Sequence, residues 1–456
     1  MPLLSHGRPR LLALLLLLSL ALPLGATRRT IHLSTLGLRA GTKENSTPLL
    51  RKILEGLQSE LEQGTDTLEL LFPTGRYHLA TEGAVQREYF ISNHDHAGIR
   101  PIGLLLKGWR HVILRGEGSE LLFEERMLPI VLDSCQGVEL RGITIDYTNP
   151  QISQLRLLRS DTTRGMIFST EPWVKWRITS EGKFETYGSN WQMTPDHGLA
   201  FDPKTRELCY RTSDVLFPNR EVRQLTREEA KRYGLKGRQS GPILHAPHWR
   251  DAQLRDGTIF AARTGYRPQP AIFVSGCQDI RLHDITIHFA EGMGLLAQRS
   301  EDIHLERFSV ELRSKGGRYF TTQADATHFV ACRGQISVER CRFENMMDDA
   351  LNVHGVYLKV VGREGKHTLL GRFMHEQSFG FPWADPGDSV RFVTSRDIQG
   401  LEGVFHVSSI SSAEGKSLEG AREVRITFRE ELPADYTPER GISMENLTRT
   451  PRVLFA

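Results

Sequence analysis

Three aspartate residues are the part of this sequence best suited to catalysis. Asp325 lies in the segment Arg318–His328, and the adjacent pair Asp348 and Asp349 lies in the segment Glu344–Gly355. Carboxylates that lie close together repel one another, so at least one of a group of three is expected to hold a proton near neutral pH. A protonated carboxyl beside an ionised one supplies an acid and a base. Hydrolysis of a glycosidic bond requires such a pair.

Two other roles are open for these aspartates. Asp is common at turns, so each of them could cap a turn between strands. Calcium also prefers oxygen ligands, although the sequence contains no loop with calcium-binding spacing. The segment Ser92–His96, with two His and one Asp, is a weaker candidate for a metal site, and a plain polar loop is the more common explanation for such a segment.

A short repeating unit would bring the aspartates together. The unit alternates apolar and polar residues, turns at a small or polar residue and then alternates again. It begins at Val112, Val138, Ile280, Ile303 and Ile336. Such a unit cannot bury its apolar row alone, so the units must stack. Their size and period-two alternation fit coils of a parallel β-helix better than propeller blades or helical repeats.

Equal spacing in successive coils places side chains next to one another. The sequence separation between Asp325 and Asp348 equals that between Ile280 and Ile303 in the repeat. We therefore expect Asp325, Asp348 and Asp349 to crowd together on the surface of the stack, however distant they are in sequence.

The five cysteines are too few and too irregularly spaced for a disulfide scaffold or a zinc site. Three of them and one serine lie three or four residues before a repeat unit begins: Cys135, Cys277, Ser300 and Cys332. Stacked coils set equivalent positions about 4.8 Å apart. These small residues are therefore predicted to form a ladder inside the stack.

Composition excludes several classes of protein. With 39% hydrophobic and 25% charged residues, the chain is neither disordered nor collagen-like nor a protein with several membrane spans. Its net charge of +3 does not support nucleic-acid binding. The 41 Gly and 21 Pro predict many turns, more than a helical protein needs.

The first 26 residues are typical of a secretory signal peptide. Arg8 and Arg10 precede an apolar run from Leu11 to Leu24, and the small residues Gly25 and Ala26 follow. The run is too short to cross a bilayer of about 30 Å as a helix. We therefore expect an exported protein, periplasmic or secreted, whose mature chain has no membrane span. Loss of the two arginines would lower the net charge from +3 to +1.

Two stretches interrupt the repeat and divide the chain. An amphipathic helix is predicted near the start, with Thr47 as its N-cap, Pro48 at its first position and Gly64 at its end. The predicted segments are the signal peptide (1–26), the cap helix and first coils (27–150), an inserted β module (151–268), the coils that carry the active site (269–355), a second, barrel-like β module (356–448) and the start of a further coil (449–456).

Several motifs resemble those of the pectin-lyase-like β-helix enzymes. The wider pattern, over most of residues 65–450, is similar to that of one family in particular, the exo-α-1,3-galactosidases of glycoside hydrolase family 110. The motifs that carry the resemblance are Phe72–Tyr77, Tyr89–Asp95, Gly108–Gly116, Ala324-Asp325 and Glu344–Gly355.

This resemblance implies an all-β fold, a right-handed parallel β-helix with two inserted barrel-like modules. It also implies removal of terminal α-1,3-linked galactose, as in the blood group B determinant, with inversion at the anomeric carbon and without a metal ion or cofactor. Asp348 would be the general acid, and Asp325 and Asp349 would hold the attacking water. Asn352 and His354, on the same coil, would bind the sugar.

Two other functions fit a β-helix. A polysaccharide lyase would want calcium, a Lys or Arg base and an acidic substrate, for which a charge near +1 gives no special attraction. A non-catalytic adhesin or glycan-binding module would lose nothing but binding in the variant Asp348→Asn. The sequence leaves open the oligomeric state and the choice between linear and branched, fucosylated galactosides.

Overall fold

A computed structural model of the chain describes residues 28–61, 67–95, 98–212, 214–235 and 241–456. Over these residues β-strands make up most of the regular structure, which confirms the all-β prediction. The helical segments are the α-helices Thr47–Leu61 and Arg227–Arg232 and the 3-10 turns Leu33–Leu36 and Pro438–Arg440. The predicted signal peptide lies outside the described residues. Among those described, no helix is both long enough and apolar enough to cross a membrane.

The first large sheet consists of parallel strands from the repeat units and the two ends of the described chain. Its twelve strands are Arg28–His32, Thr67–Leu71, Arg76–Leu79, Arg110–Phe123, Gln136–Tyr147, Gln278–His283, Thr286–Ile287, Glu301–Glu306, Ser309–Val310, Arg333–Glu339, Arg342–Phe343 and Arg452–Phe455. The last of these strands pairs in parallel with Arg333–Glu339, so the stack continues through residues 452–455.

The second large sheet has seven strands. Six of them run parallel, and the edge strand Val85–Glu88 is antiparallel to its neighbour. The strands are Val85–Glu88, Ile99–Lys107, Leu128–Asp133, Ile272–Ser275, Leu295–Gln298, Thr327–Val330 and Leu351–His354. Along the repeat region the chain alternates between the two sheets, so each coil contributes to both of them.

The register of the first sheet confirms the predicted stacking of repeat units. Val138 pairs with Val112 on one side and Ile280 on the other, and Ile303 pairs with Ile280 and Ile336. These residues are fully buried and form one core with apolar residues of the second sheet, such as Leu104, Ile130, Ile272 and Leu295. Stacking therefore buries the apolar row that a single unit would expose.

Each unit turns at the position where its alternation breaks. In the four units that begin at Val138, Ile280, Ile303 and Ile336, the fifth residue has a left-handed backbone. Its φ lies between 49° and 68° at Gly142, Asp284, Arg307 and Arg340. Gly, Asp and Asn adopt this conformation most readily. The bend separates a longer strand from a short one, for example Gln278–His283 from Thr286–Ile287.

The predicted ladder of small residues runs along the inside of the stack. The backbone N–H of Cys135 donates a hydrogen bond to Sγ of Cys277 (3.3 Å), and the N–H of Cys277 donates to Oγ of Ser300 (3.1 Å). Cys332 is buried on the next coil, beside Arg333, whose N–H donates to the Ser300 carbonyl. All five cysteines are free thiols.

The helix near the start begins at the predicted place, but its cap differs. Thr47 is already helical, and the carbonyl of Ser46 accepts the first hydrogen bond, from the Leu50 N–H (3.0 Å). Thr47 instead accepts a hydrogen bond from the N–H of Ala80 through its side chain. The predicted N-cap at Thr47 is therefore wrong by one residue. The predicted end at Gly64 lies outside the described residues.

The first interruption of the repeat is an antiparallel β module. Seven strands pair in the order Val215–Leu216, His197–Phe201, Ile259–Arg263, Ser153–Arg159, Met166–Thr170, Leu244–Ala246 and Arg223–Gln224. A separate sheet contains Trp176–Ile178, Phe184–Tyr187 and Gln192–Met193. The module has its own core, in which Phe168, Phe217 and Trp249 make edge-on ring contacts.

The second interruption is a closed barrel of six strands: Leu358–Glu364, Thr368–Phe373, Ser389–Thr394, Phe405–Ser412, Glu423–Phe428 and Ile442–Asn446. Its core is continuous with outward-facing residues of the second parallel sheet, among them Phe273 and Leu296. This shared core fixes the barrel against the face of the sheet that carries the predicted site.

The stacked core gives a prediction about stability. Ile280 is fully buried between Val138 and Ile303, whereas its neighbour Arg281 is exposed. We expect Ile280→Ala to lower the free energy of unfolding by about 2–5 kcal/mol, the usual cost of truncating a buried isoleucine. Urea-induced unfolding measures this loss, with Arg281→Ala as the matched control. A loss no larger than that of the control would contradict the stacked register.

Candidate active site

The three aspartates lie at the start of two neighbouring strands. Thr327–Val330 and Leu351–His354 run parallel, with Thr327 paired to Leu351. Just before these strands, the N–H of Ala326 donates to the carbonyl of Asp349 (2.8 Å). Asp325 and the Asp348–Asp349 pair therefore lie on adjacent coils, at the same corner of the stack.

The register corrects one detail of the sequence analysis. Equal spacing with the Ile280–Ile303 unit predicted that Asp348 would be level with Asp325. The coil is one residue longer than that unit, because Thr327 pairs with Leu351 rather than with Ala350. Asp349 is consequently the residue level with Asp325, and Asp348 precedes it by one position.

Asp325 is a buried carboxylate with a buried histidine partner. Only 3% of Asp325 and 3% of His328 are exposed. Oδ2 of Asp325 lies 2.7 Å from Nδ1 of His328. A buried carboxylate is costly unless a partner compensates its charge, and His328 is placed to do so.

His328 leads on to a second histidine. Its Nε2 lies 2.8 Å from Nε2 of His354, and Nδ1 of His354 donates to the carbonyl oxygen of Gly355 (2.8 Å). Both ring nitrogens of His354 are thus engaged within the protein. A sugar hydroxyl could bind His354, as the sequence predicted, only if one of these hydrogen bonds broke.

Asp348 and Asp349 are exposed at the surface of the corner. Oδ2 of Asp349 accepts a hydrogen bond from Nδ2 of Asn352 (3.2 Å), so the predicted sugar ligand Asn352 also supports one of the carboxylates. Desolvation raises the pKa of Asp348, and the negative charges of Asp325 and Asp349 raise it further. The environment of Asp348 therefore favours its protonated form.

Two arginines from outside the coil face Asp348 and partly oppose this effect on its pKa. Arg263, at the end of the first module, donates to the Gln323 carbonyl (2.7 Å) and to Asp214 (2.6 Å). Arg267 donates to Oε1 of Gln377 (3.0 Å), which precedes the barrel strand Ser389–Thr394. Both inserted modules thus contribute groups around the aspartates.

A third histidine, His94, is fully buried beside the coil that precedes Asp325. Its Nδ1 donates to the Ser92 carbonyl (3.1 Å), and its Nε2 accepts from the N–H of Met293 (3.3 Å). Burial holds the pKa of His94 well below its usual range, so this ring is neutral. Residue 292 must be glycine here, since a Cβ would lie 2.4 Å from Nε2 of His94.

The contacts of His94 argue against the weaker hypothesis of a metal site at Ser92–His96. Both ring nitrogens of His94 are used within the protein, and His96 lies outside the described residues. Across the part of the chain that the structure describes, no three His, Cys, Asp or Glu residues are grouped as a metal ion would need.

Sequence reasoning missed His328, Arg263 and Arg267 as partners of the aspartates, and it considered His94 only as part of a weak metal candidate. Asp325 lies in the turn before a strand, where the alternation of faces is broken, so nothing in the pattern marks His328, three positions on, as its partner. Arg263 and Arg267 are distant from Asp348 in sequence, and only the packing of the first module brings them to the site. No periodicity could have revealed that approach.

Comparison with known proteins identifies the family. The model for GLAA-B beta-barrel domain I matches residues 153–260, and the model for GLAA-B beta-barrel domain II matches residues 368–439. An alpha-1,3-galactosidase B of Phocaeicola vulgatus is 43% identical over 438 residues, which are 96% of this chain and 70% of the relative. Another, from Bacteroides fragilis, is 40% identical over 98% of this chain and 73% of its own length.

The chain belongs to the alpha-1,3-galactosidase B family. Membership confirms the resemblance predicted from the motifs and the prediction that the chain is a glycosidase. The two family β-barrel domains match the two modules that interrupt the stacked coils.

Solved structures show a weaker likeness to this family member. A putative glycosyl hydrolase from Parabacteroides merdae has 10% identity and a TM-score of 0.29, covering 71% of this chain and 97% of that chain. An exopolygalacturonase from Thermotoga maritima has 11% identity and a TM-score of 0.27, covering 72% of this chain and 55% of that chain. At these TM-scores the likeness carries no conclusion about fold or function.

The charges around Asp348 predict how its carboxyl titrates. Asp349→Asn removes a negative neighbour, so it should lower the pKa of Asp348. Arg267→Gln removes a positive one, so it should raise that pKa. NMR of protein labelled with ¹³C at the Asp carboxyls measures both shifts, and Arg281→Gln is the control, since Arg281 contacts Asp279 on the other sheet. Equal pKa values in all four proteins would contradict the described site.

Proposed function

We propose that this chain removes terminal α-1,3-linked galactose from oligosaccharides or glycoconjugates, with inversion at the anomeric carbon. The observation that carries the proposal is the grouping of Asp325, Asp348 and Asp349 at one corner of two adjacent coils. The relatives named alpha-1,3-galactosidase B supply the substrate class, a galactose in α-1,3 linkage.

Asp348 is the general acid in this proposal. An acid must hold its proton at the pH of the reaction, and the pKa of Asp348 is raised by desolvation and by two negative neighbours. Asp348 would donate this proton to the glycosidic oxygen as the bond to galactose breaks. Because Asp348 is exposed at the corner, it is accessible to a glycan that approaches from solvent.

Asp325 and Asp349 hold the attacking water and accept its proton. Both carboxyls are held by partners at the corner, since His328 lies beside Asp325 and the Asn352 amide donates to Asp349. The water would attack the anomeric carbon from the face opposite the leaving oxygen, which inverts the configuration. Water loses one proton to an aspartate, and the departing oxygen gains one from Asp348, so the protons balance in each turnover.

We further infer that the two parallel sheets are faces of a right-handed parallel β-helix. The in-register pairing of Val112, Val138, Ile280, Ile303 and Ile336 supports this fold, as does the alternation of the chain between the two sheets. A β-helix stacks equivalent positions of successive coils, and that stacking would make a corner such as the one with three aspartates rigid.

The remaining proposals concern location and substrate. Residues 1–26 have the composition of a signal peptide, which supports export to the periplasm or the medium. Terminal α-1,3-galactose occurs both on linear glycans and on the branched, fucosylated blood group B determinant. Either class is compatible with an exposed acid at the corner, so both belong in the assay.

The direct test of the proposal measures galactose release from a linear and from a fucosylated α-1,3-galactoside. We expect the protein to release galactose and Asp325→Asn, Asp348→Asn and Asp349→Asn each to lose at least about a hundredfold in rate. Asp279→Asn is the matched control, because Asp279 lies in the strand Gln278–His283 of the first sheet and not at the corner with the three aspartates. Unchanged turnover in any of the three would remove that residue from the site.

A second test concerns stereochemistry. Because water attacks the face opposite the leaving oxygen, the first product should be β-galactose, which then equilibrates with the α-anomer in solution. Proton NMR of the anomeric signals during the first minutes of reaction distinguishes the two. Initial formation of α-galactose would instead require a covalent intermediate and would contradict the assigned roles of all three aspartates.

A further inference from the structure

The hydrogen-bond chain behind Asp325 fixes where its protons lie. The carbonyl oxygen of Gly355 can only accept, so Nδ1 of His354 carries a proton. Desolvation lowers the pKa of His354, so this ring is neutral and its Nε2 has a free lone pair. The 2.8 Å contact between the two Nε2 atoms then requires that Nε2 of His328 carries the proton and donates it.

One proton remains to be assigned, between Nδ1 of His328 and Oδ2 of Asp325, 2.7 Å apart. It lies either on the imidazole, giving an ion pair, or on the carboxyl, giving two neutral groups. The buried pair carries no net charge in either case. With the proton on His328, Asp325 is an ionised base whose charge is compensated in the protein interior.

We propose that His328 is a positioning residue for Asp325, held in one tautomer by His354. This inference rests on the galactosidase function proposed above, and it gives His354 a different task from binding sugar. His328 does not need to touch the substrate. It keeps Asp325 oriented beside two further carboxylates, and the His354 lone pair keeps a proton on Nε2 of His328.

Other charged groups around this chain come from several segments. They are His94 from the loop between the first two strands of the second sheet, Arg263 and Arg267 from the end of the first module, Asp348 and Asp349 from the next coil, and Tyr357, Glu445 and Arg449 around the cavity of about 360 Å³ that His354 lines. Of the histidines in this group, His328 is the one in direct contact with the Asp325 carboxyl.

Loss of His328 should therefore impair the chemical step more than substrate binding. His328 holds the Asp325 carboxyl in position through their 2.7 Å contact, so without it the base is less well placed to take the proton of the attacking water. We expect His328→Leu to lower kcat by about tenfold or more, part of the roughly 10² to 10⁴ that a general base contributes. KM should stay within about twofold.

The variants of His354 separate tautomer control from sugar binding. Gln can still accept from Nε2 of His328 through its side-chain oxygen, whereas Leu cannot, so His354→Gln should retain most of the kcat that His354→Leu loses. His304→Gln is the control, because His304 is a half-buried histidine bonded to Ser337 on the other sheet (2.8 Å). A rise in KM with unchanged kcat in both His354 variants would make His354 a sugar ligand and overturn the proposal.

The assay begins with the unaltered protein and an α-1,3-galactosyl disaccharide. If that protein releases no galactose, the proposed function fails. If it does, and His328→Leu keeps its kcat, only the positioning role fails. ¹⁵N NMR of the histidine rings in the unaltered protein tests the chain even if His328→Leu does not fold. A protonated Nε2 on His328 and an unprotonated Nε2 on His354 are expected, and the reverse assignment would overturn the proposal.

Discussion

The hydrogen bonds between the strands Thr327–Val330 and Leu351–His354 determine where the three aspartates lie. In a parallel pair each backbone group has a fixed partner, and a slip of one residue moves every side chain to the opposite face. The pairing of Thr327 with Leu351 places Asp325 level with Asp349 and fixes the contact between His328 and His354. Both the carboxylates and the histidines behind them therefore depend on one register.

The three carboxyl groups share a corner but not an environment. Asp325 is buried against His328, and Asp349 accepts a hydrogen bond from Asn352. Asp348 faces Arg263 and Arg267, yet desolvation and its two negative neighbours still raise its pKa. The proposed division into one acid and two bases rests on these differences in surroundings. The inserted modules contribute to that division because the first of them carries Arg263.

Much of this arrangement could be predicted from the sequence, and the rest depends on tertiary contacts. The apolar alternation at Val138, Ile280 and Ile303 predicted stacking, since a unit of that size cannot bury its own apolar row. Spacing alone could not show that the coil after Asp325 is one residue longer than the Ile280–Ile303 unit, because turns between coils vary in length.

The partners of the aspartates were less accessible to sequence reasoning. His328 follows a turn that breaks the two-residue period, and Arg267 comes from a module inserted between coils. The start of the helix Thr47–Leu61 was likewise predicted one residue too late. Thr47 and Ser46 are both good caps by residue type, and in the structure the Thr47 side chain accepts a hydrogen bond from the N–H of Ala80.

A crystal structure of the variant Asp348→Asn with an α-1,3-galactosyl disaccharide bound is the most direct test of the central claim, that these aspartates act together on one glycosidic bond. The account predicts that the glycosidic oxygen lies within hydrogen-bond distance of residue 348. A water held by Asp325 and Asp349 should lie on the opposite face of the anomeric carbon. A disaccharide bound elsewhere on the molecule, or with Asp325 out of reach of that water, would contradict the account.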